Sequence, residues 1–379
     1  MQTGPMITRQ TTERLVAVDI LRVISAFFVF VFHSRLHIGC DYGVLNTFVS
    51  LCPIFMTFFF MLSGFSLSLT NHTRHDFSTV DEITAFYRKR ALSILPTYWF
   101  IALVYPFFDV LVCGGTWAHN LTPLPIDLLG VQSVLHSIFG YGHNGGTWFV
   151  SCLLFSYAAF PLLFKLIEAM SLRKRIAVGS VAMALSCYAP VAAQVLQIEG
   201  LYSNIFFRML EFVIGMLLCS LWFDIREREW YRKRIAKWSV MWIALLLLVP
   251  ALTYAAKGSM RLFDTQIVYQ IYNFFTIPCF SLMLLSAAGL RSKRLQSSRV
   301  FAYSVKASYV FFFAQFFTWE TIRALLPILG RDGNLIRIVG SFAICILYTV
   351  LLHECVEKPL GRLLRKRTES RLRDAAARL

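Results

Sequence analysis

One apolar stretch of the chain carries three side chains that could do chemistry, namely Asp19, Arg22 and His33. Because eleven residues make about 1100° of α-helical rotation, Arg22 and His33 should lie on one helix face, roughly 16–17 Å apart along the axis. Charged and titratable groups inside a membrane-length helix are costly, and by default they mark a functional site. Imidazole can take a proton from an alcohol near neutral pH, and a guanidinium can bind a phosphate. The pair therefore predicts proton transfer at His33 and anion binding at Arg22.

The spacing of this pair is comparable with the length of an extended pantetheine arm. An acyl-thioester cofactor could therefore bind with its phosphates at Arg22 and its sulfur near His33. Asp19, three residues before Arg22, could orient the guanidinium or reach another helix. The spacing alone leaves a second interpretation open, in which His33 makes a buried polar contact between helices and Arg22 only pairs with Asp19.

The composition of the whole chain indicates a multi-pass membrane protein. Of its 379 residues, 57% are apolar and only 15% are charged, whereas soluble proteins have roughly 25% charged residues. Ten apolar spans of membrane-crossing length predict an all-α fold of about ten transmembrane helices. The spans lie near residues 16–33, 47–70, 93–112, 147–164, 176–194, 204–223, 238–255, 266–290, 303–322 and 338–353.

The net charge of +16 follows membrane topology. If the N-terminus is cytoplasmic, 29 of the 37 Lys and Arg residues lie in internal segments and six in external loops. This is the excess that cytoplasmic loops carry, so we expect both termini in the cytoplasm and no nucleic-acid partner. The expected organisation is a cytoplasmic segment at 1–14, one transmembrane domain at 15–355 and a basic cytoplasmic tail at 356–379 on the anionic inner leaflet.

Two motifs near the second and third spans have two interpretations each. Ser63 and Gly64 lie inside the second span, where small residues permit close packing of helices or contribute directly to a site. Arg88, Lys89 and Arg90 precede the third span. They are typical of a cytoplasmic flank, but guanidinium groups also bind anionic ligands bidentately.

The sixth span carries a charged pair, Arg208 and Glu211, three residues apart. Side chains at this spacing lie next to each other on a helix and can neutralise each other. A structural ion pair inside the bundle is one interpretation, and a contribution to a functional site is the other.

The longest external segment, residues 113–146, contains no Lys or Arg and leads to Trp148 at the start of the fourth span. We expect it to form a loop over the external mouth, and we regard it and Trp148 as candidates for binding an acceptor. Because its histidines lack the spacing of metal ligands, we expect no metal site. These histidines are His119, His136 and His143.

The chain resembles the membrane acyltransferase family 3 proteins, multi-helix enzymes that O-acylate bacterial surface polysaccharides and related glycans. The most specific mark is a basic residue separated by ten residues from a histidine, here Arg22 and His33. The resemblance covers nearly the whole chain. Further similar segments follow in the family's order, namely residues 59–65, residues 87–99, Trp148-Phe149 with Tyr157 and Pro161, Arg208 with Glu211, Phe212 and Gly215, and Glu357-Lys358-Pro359.

The resemblance implies that His33 is the catalytic base, or transiently carries the acyl group, and that Arg22 is essential near the acyl donor. It implies acetyl-CoA, or another short acyl-CoA, as co-substrate, with no metal. The expected acceptor is a sugar hydroxyl of a surface polysaccharide such as lipopolysaccharide O-antigen, or of its lipid-linked precursor, at the bacterial inner membrane. Whether the protein forms a homo-oligomer stays open.

Further residues receive roles from the same resemblance. The donor-binding set is Arg22, Arg88, Lys89, Arg90 and Ser63, and the supporting set is Asp19, Trp148, Arg208, Glu211 and Glu357. The chain has Ser93 where the family often has a second arginine, so donor binding would depend on residues 88–90. It also has Gln315 where many relatives have a histidine, so a second imidazole there would not be required.

Two other classes of protein compete with an enzyme. A transporter or flippase could use Arg22, His33, Arg208 and Glu211 as an intramembrane relay. Transporters commonly show repeated halves and paired broken helices, and the sequence shows neither pattern. A non-catalytic scaffold in a polysaccharide assembly complex would leave His33 without a task.

Overall fold

The computed structural model describes residues 15–72, 77–139, 146–198, 200–259, 271–290, 292–329 and 333–364. Within these ranges the chain is helical and contains no β-strand, which confirms the predicted all-α class. Ten apolar helices, numbered here in chain order, overlap the ten predicted spans. They are α1 Val16–Ile38, α2 Phe55–Asn71, α3 Val80–Cys113, α4 Trp148–Glu168, α5 Leu172–Val195, α6 Ile205–Ile225, α7 Trp238–Ser259, α8 Asn273–Ala288, α9 Arg299–Leu329 and α10 Asn334–Leu352.

Eight helical segments in the described residues are long and apolar enough to cross a membrane. The other two, in α7 and α8, contribute shorter apolar stretches, Trp238–Tyr254 and Asn273–Ala288. The protein is therefore a multi-pass membrane protein. The number of ten crossings and the cytoplasmic position of both termini stay predictions.

The predicted terminal segments fall largely outside the described residues, which exclude 1–14 and 365–379. At the C-terminal side, α10 continues through a π-helical turn, His353–Glu357, and the described part of the helix reaches Leu364. The predicted domain boundary at residue 355 therefore lies inside a continuous helix. A π-turn inserts an extra residue into a helical turn and often occurs at functional sites.

Helices α2 and α6 form the centre of the bundle. The apolar window of α2 is 83% buried and that of α6 is 67% buried, whereas α3, α5 and α10 have 28% or less and present most of their surface outward. Two glycines allow α2 and α6 to pack closely. A Cβ on Gly64 would lie 2.0 Å from the Phe212 carbonyl oxygen, and a Cβ on Gly215 would lie 2.0 Å from the Met61 carbonyl oxygen. Gly64 therefore serves the close packing that one interpretation of the Ser63-Gly64 motif predicted.

Helix α1 packs against α2, α8, α9 and α10. It ends at Gly39, whose left-handed φ of 67° closes the helix. Its contacts with α9 advance along both helices in the same direction, so α1 and α9 run parallel. We call the end of the bundle at which α1, α3 and α9 begin the basic end, because the loops richest in Lys and Arg lie there.

Three short helices occupy much of the segment for which the sequence predicted a loop, namely Trp117–Leu121, Leu124–Leu129 and Gln132–Phe139. Hydrogen bonds hold this segment on α3 and α4. Trp99 Nε1 donates to the Leu128 carbonyl at 2.7 Å, and Gln132 Nε2 donates to the Thr147 carbonyl at 3.1 Å. Residues 140–145, including His143, lie outside the described residues.

Candidate active site

A cavity of about 330 Å³ lies at the basic end, between α1, α2, α3, α4, α9 and the π-turn after α10. Three of its lining side chains are cationic, Arg22, Arg90 and Lys306, and one is acidic, Glu357. The remaining polar lining consists of hydroxyl groups, which belong to Ser63, Ser66, Thr70, Ser93, Tyr157, Ser308 and Tyr309. This excess of positive charge, with many hydrogen-bonding groups, suits an anionic ligand. We call it the donor cavity, after the acyl donor that the resemblance predicts to bind near Arg22.

Arg22 lines the donor cavity with its charge only loosely balanced. Its guanidinium lies 3.4 Å from the Asp19 carboxylate and donates to Ser66 Oγ at 2.8 Å, and its side chain is 25% exposed. A guanidinium has five N–H donors, so the remaining ones stay available to a ligand. The Asp19–Arg22 pair that one interpretation predicted is therefore present. The same guanidinium also borders the cavity, where it could bind an anion.

The cluster at residues 88–90 divides in the structure. Arg90 lines the donor cavity, while Arg88 and Lys89 are exposed and lie outside its lining. The Nε atom of Arg90 is buried and has no hydrogen-bond partner, and its guanidinium lies 5.9 Å from the centre of the Phe86 ring. A buried N–H group without a partner is costly, so a ligand that accepts a hydrogen bond from this atom would be favoured.

Two charged residues of the cavity come from far along the chain. Lys306 lies at the start of the apolar part of α9, and the sequence analysis gave it no role. Its positive charge lines the same cavity as Ser93, the position at which the family often has an arginine. Glu357 is held by a hydrogen bond from His353 within the π-turn. In the sequence, Lys306 stands out only as a cation shortly before the polar residues Ser308 and Tyr309. Packing shows that these residues share a cavity with Arg22.

His33 lies farther along α1, against α9. Its Nδ1 atom is 3.0 Å from Oε1 of Gln315. In this orientation of the amide, the carbonyl oxygen accepts, so Nδ1 carries the proton and Nε2 keeps a lone pair. This arrangement leaves Nε2 able to act as a base. Gln315 therefore occupies the place of a positioning residue, which the sequence analysis had considered only as the absence of a second histidine.

Aromatic rings contact His33, and other aromatic rings join the donor cavity to the part of α9 that precedes Gln315. The rings of His37 and Trp319 lie 5.5 and 6.5 Å from the His33 ring. Towards the cavity, Phe59 and Phe149 contact Phe312 at 5.1 and 5.4 Å between ring centres. Among these three phenylalanines, Phe59 also lines the cavity. His33 is not part of that lining. We call Phe59, Phe149 and Phe312 the aromatic layer.

The second charged pair of the sequence lies elsewhere in the bundle. Arg208 and Glu211 form an ion pair at 2.8 Å with both side chains fully buried. The Arg208 guanidinium also lies between aromatic rings, with distances to the ring centres of 5.6, 5.3 and 4.6 Å for Phe60, Trp148 and Tyr202. These contacts join α2, α4 and α6 and place Trp148, 8% exposed, inside the bundle.

Of the three histidines proposed for the external segment, two are described. His119 is exposed and His136 packs against Gly200, where a Cβ would lie 1.8 Å from His136 Nε2. Among the residues that the structure describes, no three His, Cys, Asp or Glu side chains are grouped so that they could hold a metal ion.

The described residues thus form a bundle of apolar helices with a cationic cavity at one end and, deeper inside, a histidine that is hydrogen-bonded to Gln315. The family model described as an acyltransferase domain matches residues 15–354. The chain therefore belongs to this family, the membrane acyltransferase family 3.

A curated relative supports the same class. The acyltransferase MdmB of Streptomyces mycarofaciens is 30% identical over 220 residues, which are 55% of this chain and 52% of that protein. The aligned region thus spans about half the length of the relative. No solved structure matches the chain.

Proposed function

We propose that this membrane acyltransferase moves an acetyl group from acetyl-CoA to a sugar hydroxyl of a cell-surface polysaccharide or its lipid-linked precursor. The observation that carries the proposal is the pairing of a cationic cavity with a histidine whose Nδ1 is fixed by Gln315. Coenzyme A carries several phosphate charges at one end and its thioester at the other. The cavity and the histidine offer complementary groups in the same order along α1.

Donor binding in this proposal uses the three cations of the donor cavity. Arg22 and Arg90 hold the phosphates, because guanidinium groups form short, charge-assisted hydrogen bonds with phosphate oxygens. Lys306 adds a third positive charge from α9. Since the loops with most Lys and Arg lie at the same end, the donor enters from the cytoplasm. The proposed location is the bacterial inner membrane, where cytoplasmic acetyl-CoA can reach the cavity.

The acyl end of the donor has to pass the aromatic layer to reach His33. From Arg22 to His33 the helix rises about 16–17 Å, within the reach of a pantetheine arm. Phe59 borders the donor cavity and contacts Phe312, which is three residues before Gln315 in α9. Rotation of these side chains opens the path from the cavity to the histidine.

Transfer then proceeds by general base catalysis at His33. Nε2 takes the proton of the acceptor hydroxyl as its oxygen attacks the thioester carbonyl carbon and a C–O bond forms. The tetrahedral intermediate breaks its C–S bond, and the leaving thiolate takes the proton from the imidazolium. The products are the acetyl ester and free coenzyme A. An acetyl group carried transiently on the imidazole is the alternative route.

The test compares surface glycans from cells that express the wild type, His33→Ala or His119→Ala. Mass spectrometry measures the acetyl content of the glycan. A second assay measures the release of coenzyme A from acetyl-CoA by the protein in lipid nanodiscs. Because general bases contribute about 10²–10⁴-fold, His33→Ala should reduce transfer by that factor. His119 is exposed in the segment expected to bind the acceptor and has no part in the proposed proton transfer, so His119→Ala should retain coenzyme A release at saturating acceptor.

Full transfer by His33→Ala would show that His33 is not the base. Transfer of a different acyl group, seen as a different mass increment on the glycan, would overturn the acetyl assignment and leave the acyltransferase class intact.

A further inference from the structure

Two buried N–H donors near His33 have no hydrogen-bond partner in the structure. They are Nε2 of Gln315 and Nε1 of Trp319. The two residues are 1% and 2% exposed, and they are four residues apart on α9, so they lie on the same helix face. Buried polar groups are almost always hydrogen-bonded, and an unpaired one calls for a physical explanation.

Both donors belong to side chains that contact the candidate base. The Gln315 amide binds His33 Nδ1 through its oxygen, so its free N–H group lies on the same planar unit. The Trp319 ring lies edge-on to the His33 ring, with an interplanar angle of 83°. A carbonyl group that accepts hydrogen bonds from both donors would therefore lie beside the two side chains that contact His33.

The neighbouring rings fix the orientation of Trp319. Its ring stacks on His37 at 6.0 Å and packs against Phe30 at 5.0 Å. Arg323 in turn lies 3.2 Å from His37 Nδ1 and forms an ion pair with Glu320 at 3.0 Å. A donor held in this way needs no rearrangement during the reaction, and an apolar environment strengthens its interaction with a developing negative charge.

We propose that Gln315 Nε2 and Trp319 Nε1 form the oxyanion hole of this acyltransferase. The proposal rests on the function proposed above for His33. When the acceptor oxygen attacks the thioester carbon, the carbonyl π electrons move to the carbonyl oxygen, and the two N–H groups donate to this oxyanion. When the C–S bond breaks, the electrons return to form the ester carbonyl and the hydrogen bonds weaken. In this proposal the amide oxygen of Gln315 orients His33, and the amide nitrogen donates to the oxyanion.

The test uses Trp319→Phe, which removes the N–H group and keeps an aromatic ring between Phe30 and His37. Loss of one oxyanion donor typically lowers kcat by about 10²–10³-fold. We expect that fall in kcat with no change in KM for acetyl-CoA. The matched control is Trp222→Phe, since Trp222 Nε1 is a buried indole donor that binds the Tyr231 hydroxyl at 2.9 Å, away from His33.

A binding measurement separates this role from simple packing. A trifluoromethyl ketone analogue of acetyl-CoA hydrates to a tetrahedral gem-diol, one oxygen of which takes the place of the oxyanion, whereas coenzyme A itself has no such group. Trp319→Phe should weaken binding of the ketone analogue by about 10²–10³-fold and leave the affinity for coenzyme A unchanged. Equal weakening of both ligands would assign Trp319 to packing and overturn the proposal.

The remaining outcomes distinguish the two proposals. If His33→Ala abolishes transfer while Trp319→Phe keeps the wild-type kcat and analogue affinity, the oxyanion assignment is wrong and the function of His33 stands. If His33→Ala keeps full transfer, the proposed role of His33 as the base fails, and the oxyanion proposal that rests on it fails too, whatever the Trp319 variant does.

Discussion

Arg22 of α1 and Arg208 of α6 both lie within apolar helices, but their side chains have different partners. Arg208 is fully buried, forms an ion pair at 2.8 Å with Glu211 and is enclosed by three aromatic rings. Arg22 is 25% exposed, lies 3.4 Å from Asp19 and borders a cavity of about 330 Å³. The same residue type is thus satisfied by the protein at one site and left accessible at the other.

This difference separates structural from functional charge. A buried guanidinium with a close carboxylate and aromatic contacts has its electrostatic cost offset within the protein. A partly exposed guanidinium with a longer ion pair gains most when an external anion binds. Removal of Arg208 should therefore reduce stability, whereas removal of Arg22 should reduce ligand affinity.

The largest expected effect is on stability at Arg208. Because Arg208→Met leaves the Glu211 carboxylate buried without its partner, the free energy of unfolding should fall by ~3–5 kcal/mol. Arg22→Met should cost less than about 1 kcal/mol, as is usual for a loosely paired, partly exposed charge. Thermal unfolding in detergent, followed by size-exclusion of the remaining folded protein, measures both. The double variant Arg208→Met with Glu211→Met should recover much of the loss, and equal losses for Arg208→Met and Arg22→Met would contradict the comparison.

Asp127 extends the comparison to an acid that lies outside the membrane-spanning helices. Burial raises the pKa of Asp127 from 3.8 to about 6, and its Oδ1 atom has no hydrogen-bond partner. Between pH 3.8 and about 6, Asp127 is protonated in the folded protein but ionised in the unfolded chain. The free energy of unfolding therefore falls as the pH rises towards 6. Asp127→Asn should remove this slope and raise stability by about 2–3 kcal/mol above pH 7, with no gain near pH 4. Unfolding of both proteins from pH 4 to 8 measures this, and a gain that is the same at every pH would refute the cause.

A smaller effect is expected where α2 meets α6, the contact that holds the Arg208 pair in place. A Cβ on Gly64 would lie 2.0 Å from the Phe212 carbonyl oxygen, so Gly64→Ala must push the two helices apart. Overpacking of this kind typically costs about 1–3 kcal/mol. Gly179→Ala is the matched control, because its Cβ would meet Leu217 Cδ1 at an ordinary 3.8 Å. Thermal unfolding should show a loss for Gly64→Ala alone.

Much of the fold was predictable because its signals are local. Apolar runs of membrane length marked all ten helices, and helix geometry turned the spacing of Arg22 and His33 into positions along one helix. The segment at 113–146 was predicted as a loop, since its three helices are too short to produce a clear period; the longest described one is Gln132–Phe139.

The non-local parts of the candidate site were not predictable in this way. Gln315 is 282 positions from His33 in the chain, and Lys306 and Glu357 reach the donor cavity from α9 and the π-turn after α10. No sequence period records which side chains meet across helices. The cluster at 88–90 shows the same limit, because only packing decides that Arg90 lines the cavity while Arg88 is exposed.

The central claim is that one end of α1 binds the donor and the other performs the chemistry. Equilibrium binding of coenzyme A to the protein in nanodiscs tests it directly, with wild type, Arg22→Ala, His33→Ala and Arg88→Ala compared in one buffer. Loss of a charge-assisted hydrogen bond corresponds to about 10–100-fold, so Arg22→Ala should weaken binding by that factor, while His33→Ala and the exposed Arg88→Ala should bind as the wild type does. Wild-type affinity in Arg22→Ala, or an equal loss in His33→Ala, would contradict the account.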